Sequence, residues 1–546
     1  MNGAPRRGLK VELTPGWRPY RLRGERPRGG LRIRAWGLVG SALPRTNPWG
    51  VPVSYVQLPE TPIIGRNLVG GEWVTPTGAA MIDVRSPYTG TVIGRVPAST
   101  AADVAPVVEA AKKAAEGWRN TALRDRTAKM TRFRNLLEQN LDKLANSAAR
   151  EAGKTVAEAR AGVLKGIEVC DFALSIQNLD TGGVLEVSRG VTCEFKREPL
   201  GVVAGIAPFN FPAMVPLWMI PNALTVGNAF ILKPSEKVPL TSLMLGELLL
   251  EAGVPPGVFS IVHGGKEAVD GILAHPDIQA VAFVGSTGIA KYVYTEGSAR
   301  GKRVLALGGA KNHLIVVPDA DPTFTPNAVV DSFTGCAGQR CMAASVMVAV
   351  GDVQHIIDEM VRRAAAIEVG PGMGALIDRA SQERLEAAIG RAEADGAKIL
   401  VDGRGKKPSG AAYANGNWLG PTILDNVRPG TEAHTKELFG PLISIVRVPT
   451  LTAALELQAS SPYGNAASIF TTNGAVAQHV VDTAKAGMVG VNVGVPVPRE
   501  PFSFGGINDS RFGHGDITGQ GGVEFWSYLK KVTRKWTART DGSWMS

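Results

Sequence analysis

Hydrophobic positions along this chain change period several times, and each change marks an element. Residues 68–74 (Leu-Val-Gly-Gly-Glu-Trp-Val) set apolar side chains on both sides of a Gly-Gly pair, which predicts a short β-hairpin. Alanine-rich helical spacing follows over 101–118. It continues over 123–151, where Leu136, Leu137, Leu141, Leu144 and Ala148 favour one helical face. Over 184–199 the apolar residues Val187, Val191 and Phe195 stand apart among polar ones, with a turn at Gly190; this predicts a hairpin projecting from the main body. Short apolar runs then recur at 202–206, 229–232, 259–262, 280–284 and 314–317. Helical stretches such as 240–252 and 267–274 separate several of them. That alternation predicts a parallel sheet of the dinucleotide-binding sort and an α/β fold, with a second α/β unit from about residue 309.

One stretch needs separate treatment. No charged residue occurs over the 32 positions 201–232, long enough for a membrane span. Pro208, Pro212, Pro216 and Pro221, with Asn210, Asn222 and Asn228, would leave backbone and amide groups unsatisfied in lipid. A buried strand, loop and helix is expected there, and no membrane partner.

Composition narrows the class. A chain of 546 residues exceeds one ordinary domain, and 44% hydrophobic with 20% charged residues is typical of a soluble globular protein. Cys170, Cys193, Cys336 and Cys341 lack framework spacing, which favours a reducing compartment, taken as the cytoplasm. With seven histidines and no second cysteine cluster, Cys336 and Cys341 are not expected to bind a metal.

The net charge of +10 is concentrated at one end. Residues 1–46 hold ten arginines and one lysine against Glu12 and Glu25, which gives +9, so the rest of the chain is close to neutral. A nucleic-acid partner is therefore not expected for the protein as a whole. An Arg-rich, acid-poor start suits an organellar transit peptide, with a mitochondrial location as the alternative. Prolines at 5, 15, 19 and 27 interrupt the helix such a signal needs, so residues 1–61 are read as a disordered basic extension or as the product of an upstream start codon.

The candidate chemistry starts at Cys341, in the run Phe333-Thr334-Gly335-Cys336-Ala337-Gly338-Gln339-Arg340-Cys341, far downstream of Asn210 in Pro208-Phe209-Asn210-Phe211-Pro212. A thiol nucleophile and a side-chain amide can attack a carbonyl and hold the resulting oxyanion. Alone, Cys341 would pass for a packed core cysteine. Arg340 beside it is expected to lower its pKa, whereas Cys336 has no adjacent cation and is assigned to packing. Between thiol and amide, Lys233 ends an apolar strand and Glu236 follows; each can bond a ribose hydroxyl, and Glu236 would repel a 2′-phosphate, favouring NAD over NADP. Gly264-Gly265 and Gly285-Ser286 follow strands and suit a pyrophosphate, although the full G-x-G-x-x-G fingerprint is absent and each is, by itself, only a turn. Together these features suggest aldehyde oxidation through a thioester.

At these residues the chain resembles the aldehyde dehydrogenase superfamily, over about 62–540. Within it the chain is most similar to the CoA-acylating methylmalonate-semialdehyde dehydrogenases. Four runs carry the resemblance: Gly205 through Met219, Gly309-Ala310-Lys311-Asn312-His313, Gly338-Gln339-Arg340-Cys341-Met342-Ala343, and Ile469-Phe470-Thr471-Thr472-Asn473-Gly474-Ala475. The resemblance implies an NAD-binding Rossmann-type domain (62–182 and 201–308) and an α/β catalytic domain (309–507). It also implies a small β oligomerisation element (183–200 and 508–540, with a strand near 523–535) that pairs copies into a homodimer or homotetramer. It implies that Cys341 is the nucleophile and that Asn210 with the Cys341 backbone N–H holds the oxyanion. Ala207, Phe209, Lys233, Glu236, Lys237 and Ser286 would line NAD, and Glu437 would bind the nicotinamide ribose.

Hydrolytic members carry a general-base glutamate where this chain has Leu307, and no carboxylate occurs between Glu296 and Asp319. A thiol such as coenzyme A is already a few per cent thiolate at neutral pH and needs that base less than water does. The expected activity is therefore oxidation of malonate or methylmalonate semialdehyde to acetyl-CoA or propionyl-CoA with loss of CO2. Arg340 and Lys165 are expected to hold the substrate carboxylate. Lys165 stands where relatives have arginine, and Pro501-Phe502-Ser503-Phe504-Gly505-Gly506-Ile507 also departs from the subfamily. A hydrolytic enzyme for another aldehyde is the alternative; a non-catalytic relative whose basic tail recruits nucleic acid is a rival from a different class.

Overall fold

The computed structural model of the protein describes residues 56–179 and 182–536. The disorder expected of the basic extension falls, for residues 1–55, outside the described residues, as do positions 537–540 of the expected oligomerisation element. Residues 56–61 do belong to the folded body, because Val56 and Leu58 pack against its cores. None of the described helices is long and apolar enough to cross a membrane.

The first large sheet is built by the apolar runs of residues 202–307. The strands Val202–Ile206, Ala229–Lys233, Phe259–Ile261, Ile278–Val284 and Arg303–Leu307 run parallel, in the spatial order third, second, first, fourth, fifth. Side chains alternate across it. Val202, Ala204, Ile206, Ala229, Ile231, Val281 and Phe283 join one core with the helix Ala101–Asn120. Val203, Phe230, Leu232, Ala280, Ala282, Leu305 and Leu307 join another on the opposite face, with the helix Met214–Val226. Burial on both faces explains why these strands read as continuous apolar runs. The expected hairpin, Asn67–Val69 with Glu72–Val74, adds antiparallel strands at one edge, and Arg511–Gly513 adds another at the far edge.

The uncharged stretch resolves into strand Val202–Ile206, a loop, helix Met214–Val226 and the start of strand Ala229–Lys233, nearly all of it buried. The helical pattern over 123–151 is in fact two helices, Leu123–Gln139 and Leu141–Ala152. They are broken at Asn140, whose φ of −104° and ψ of 17° leave helical space.

A second sheet holds the strands Thr422–Asp425, Leu442–Val448, Ala344–Val350, Asn312–Val316, Ala466–Phe470 and Met488–Val491 in that order. All are parallel, with Lys398–Val401 antiparallel on one edge. A third, three-stranded sheet joins the hairpin Gly183–Ser188 and Val191–Pro199 to Ser527–Lys535, antiparallel throughout. Its last strand starts at 527 because Gly519–Phe525 is helical.

Candidate active site

In an open α/β sheet, ligands gather beyond the carboxyl ends of the strands where strand order reverses. Here that point lies between Val202–Ile206 and Ile278–Val284. A cleft of about 830 Å³ opens there, within the range of small-molecule sites. Ala207, Phe209, Lys233, Glu236, Lys237, Ser286 and Glu437 line it, and so do Asn210 and Cys341. The structure thus brings the expected cofactor residues, amide and thiol onto one wall system, although they span more than 200 positions of sequence.

Each side chain is set by a local device. Ala207 continues beyond the first strand, its N–H donating to the Lys233 carbonyl at 3.0 Å. Lys233 is buried rather than superficial, and its Nζ lies 3.1 Å from Glu236 Oε2. Burial works against the Glu236 charge, yet Lys233, a backbone N–H and Lys237 together hold the carboxyl below its ordinary range. Lys237 pairs with Asp378, and Phe209 meets Phe439 edge-on at 5.8 Å between centroids. Gly264 takes φ +139°, and a Cβ there would lie 2.8 Å from the Ser99 carbonyl, so only glycine suits this turn.

Ser286 stands at the N-cap position of the helix Thr287–Ala299 but makes no side-chain cap bond, and it lines the cleft. Gly285 departs from expectation: its N–H is taken by the Leu307 carbonyl at 3.1 Å, so it is not offered to a phosphate.

Cys341 lies in the turn between the helix Phe324–Thr334 and the strand Ala344–Val350. Its carbonyl accepts from Asn312 Nδ2 at 2.8 Å and from Asn465 Nδ2 at 2.9 Å. Asn312 also holds the Ala343 carbonyl at 2.9 Å. These two amides fix the Cys341 loop and have no place in the motifs that single out Cys341. Asn312 lay inside a recognised run but had no signal beyond it, and Asn465 had none. Asn210 Nδ2 donates to the Gln339 carbonyl at 3.0 Å, which ties the amide to the same loop. Ser381 and Arg384, from the helix Arg379–Ala394, also line the cleft without any sequence warning.

The electrostatics correct one expectation. The Cys341 thiol is pushed up to about 12, first by burial and then by the nearby Glu437 charge. Its own backbone N–H, Arg340 and Lys154 act the other way and lose. Arg340 is not turned toward the thiol. Its guanidinium folds back onto the carbonyls of Asp331 and Ser332, at 2.9 Å for the latter, at the end of the preceding helix. Cys336 does have a cation beside it, Lys154, but is buried with its thiol raised, and stands at φ +56° with its N–H 2.6 Å from Glu158 Oε1. Packing remains its role, for a different reason.

Glu437 is half-buried in the cleft wall, and the loss of solvent there raises its carboxyl to about 7. Oε1 accepts from the Ala310 N–H at 2.9 Å, and the carboxylate lies so close to Gly309 that a Cβ there would collide with it. Lys311, nearby, is lowered to about 7, also by burial. Lys165 does not reach the cleft as a free cation: its Nζ lies 2.8 Å from Glu500 Oε2 and 3.2 Å from Glu168 Oε2. Leu307, where a hydrolytic relative would carry its base, packs into the core under the sheet.

A thiol, an amide and a dinucleotide-sized cleft beside a strand-order switch define the chemistry of one protein class. The family model described as "Aldehyde dehydrogenase family" matches residues 73–532, and the chain belongs to that family. Among curated relatives, it is 40% identical over 90% of its length to the acylating mitochondrial methylmalonate-semialdehyde/malonate-semialdehyde dehydrogenase of Rattus norvegicus, covering 93% of that protein. It is 42% identical over 87% of its length to the malonate-semialdehyde dehydrogenase of Pseudomonas aeruginosa, covering 97% of it. Among solved structures, the methylmalonate-semialdehyde dehydrogenase of Oceanimonas doudoroffii superposes with a TM-score of 0.85 at 40% identity, covering 88% of this chain and 99% of that one. A Sinorhizobium meliloti 1021 protein solved with NAD gives 0.86 at 39%, covering 88% and 100%.

Proposed function

We propose that the protein oxidises malonate or methylmalonate semialdehyde to acetyl-CoA or propionyl-CoA with loss of CO2, using NAD and coenzyme A. The observation that carries this reading is the cleft shared by Cys341, Asn210 and the dinucleotide-facing residues, with leucine, not a carboxylate, at position 307. The Cys341 thiol gives its proton to solvent, its sulfur bonds to the aldehyde carbon as the C=O π pair moves onto oxygen, and Asn210 Nδ2 with the Cys341 N–H holds the oxyanion that develops. Bound NAD supplies the hydride acceptor that turns this adduct into a thioester. Lys233 and Glu236 would take the adenosine ribose, Ala207, Phe209, Lys237 and Ser286 would flank the dinucleotide, and Glu437 would take the nicotinamide ribose. The cleft fits that group in its chemistry, since Glu236 and Glu437 bring carboxylates able to accept from ribose hydroxyls and Ser286 brings a hydroxyl able to donate to a phosphate.

With leucine rather than a carboxylate at 307, the thioester outlasts attack by water. Its β-carboxylate leaves as CO2, the C–C bonding pair passing into the thioester enolate, which takes a proton from solvent. The coenzyme A thiol then displaces the Cys341 sulfur. Arg340 and Lys165 would receive the substrate carboxylate, which must displace the groups that hold them now. In this reading the sheet spanning 202–307 belongs to the NAD domain and the sheet spanning 312–491 to the catalytic domain. The three-stranded sheet would pair copies into a dimer or tetramer, and four free cysteines suit the cytoplasm.

The test is steady-state turnover of malonate semialdehyde with NAD and varied coenzyme A. Acyl-CoA formation, strict dependence on coenzyme A and loss of turnover in Cys341→Ala are expected. Equal NADH production without coenzyme A, with free acid as product, would favour the hydrolytic alternative.

A further inference from the structure

Lys165, which stands where relatives have arginine, meets a residue that borders the second divergent stretch, 501–507. Lys165 and Glu500 are 335 positions apart, yet Nζ and Oε2 lie 2.8 Å from each other. The pair is sheltered: Lys165 is 17% exposed and Glu500 only 8%. The second Glu500 oxygen, Oε1, is buried without a hydrogen-bond partner. Around them the charges already cancel, because Glu168 takes Lys165 at 3.2 Å and the exposed Arg499 at 3.4 Å.

The elements that carry the pair pack against residues that line the cleft. Lys165 lies on the turn of helix Val156–Leu179 between Gly162, whose Cα faces the Phe211 ring, and Gly166, which packs on Leu217. Phe211 and Trp218 line the cleft with Cys341. From the other side, Val497 packs on the same core as Cys341, and Phe504 lies 4.7 Å from Trp218 between ring centroids. Glu500 sits in the segment between them.

We propose that Glu500 is an internal carboxylate that occupies Lys165 and sets the aldehyde preference of the enzyme. This rests on the semialdehyde reading above. A substrate carboxylate arriving at Lys165 meets a charge-neutral cluster and must displace a buried, charge-assisted hydrogen bond, whereas an uncharged aldehyde displaces nothing. Glu500 thereby penalises anionic aldehydes relative to neutral ones of similar length. Removing its charge leaves the cluster one positive charge in excess and opens Lys165 to the substrate.

The experiment compares kcat/KM for malonate semialdehyde with kcat/KM for propanal, at saturating NAD and coenzyme A, in the wild-type enzyme, Glu500→Gln and Glu500→Ala. We expect the semialdehyde-to-propanal ratio to rise about tenfold in both variants, through a lower KM for the semialdehyde and little change in kcat. Adding Lys165→Met to either variant should abolish the gain. Propanal turnover reports that each variant is folded. An unchanged or lower ratio in a variant that oxidises propanal overturns the proposal and leaves Glu500 as a prop for Lys165. The semialdehyde reading fails separately, if the wild-type enzyme makes no acyl-CoA from the semialdehyde.

Discussion

Glu437 carries a carboxylate where charge is costly, with one backbone N–H as its hydrogen-bond partner. Its raised value of about 7 means that it is charged above pH 7 and neutral below. A ribose hydroxyl donates better to the charged form. KM for NAD should therefore rise as pH falls through about 7, and Glu437→Gln should flatten that dependence while raising KM throughout. The sign for stability is opposite. A carboxyl whose folded value exceeds its unfolded one stabilises the fold least once pH has risen through the folded value. Glu437→Gln should thus unfold later than wild type above pH 7, by up to about 3 kcal/mol in denaturant titrations. A variant that lost NAD affinity and stability together would contradict this. At this scale, residue identities were legible and side-chain directions were not. Cys341, Asn210 and Glu437 could be picked from their motifs, but nothing in the order of residues says that Arg340 turns back onto Ser332. Nor does it say that burial outweighs that cation at the thiol.

Elements were easier to read, because burial imposes a period that survives small breaks. Leu137, Leu141 and Leu144 enter one core although the backbone leaves helical space at Asn140 between them, so the pattern ran through a break it could not show. The caps were not legible. Pro239 precedes helix Leu240–Glu251 and offers no capping side chain. The orphan N–H groups of Leu240 and Thr241 are instead taken by the buried carboxylate of Glu151, at 2.7 and 2.9 Å, from the end of another helix. Thr241 Oγ1 donates to it as well. Glu151→Ala should leave those amides unpaired and destabilise the fold by roughly 2–4 kcal/mol, read as a lower urea midpoint at unchanged slope. Glu151→Gln should cost less. Burial lifts the glutamate to about 7, so the native group is only partly charged at neutral pH and the amide keeps one acceptor oxygen. Equal losses in the two variants would mean that charge, rather than the acceptor, is what the helix end requires.

For the whole molecule, strand order decides where chemistry can occur, and a single sequence shows strands without their order. The reversal beside Val202–Ile206 gathers residues from both large sheets around one cleft. The hairpin of the third sheet was legible, since a polar ribbon interrupted by isolated apolar residues reads unlike any buried strand, whereas its late strand followed only from the family resemblance. In the fold Val187 is 52% exposed and Phe195 42%, with Val184 at 71% and Leu185 at 67% beside them, while Val191 is half-buried. Among the described residues the strand Gly183–Ser188 has an open edge, because the sheet continues there only through Val191–Pro199 to Ser527–Lys535. An open edge with apolar side chains invites pairing with another chain, and natural proteins leave one exposed mainly where a partner covers it. If a second copy covers it, replacing Leu185 by Glu and Val187 by Lys should place buried charge at that contact. The variant should then sediment as a smaller species than wild type at the same concentration, with the cleft residues intact and the Cys341 thiol still present. A wild-type monomer, or a variant whose sedimentation is unaltered, would mean that this edge is covered by something other than the protein itself.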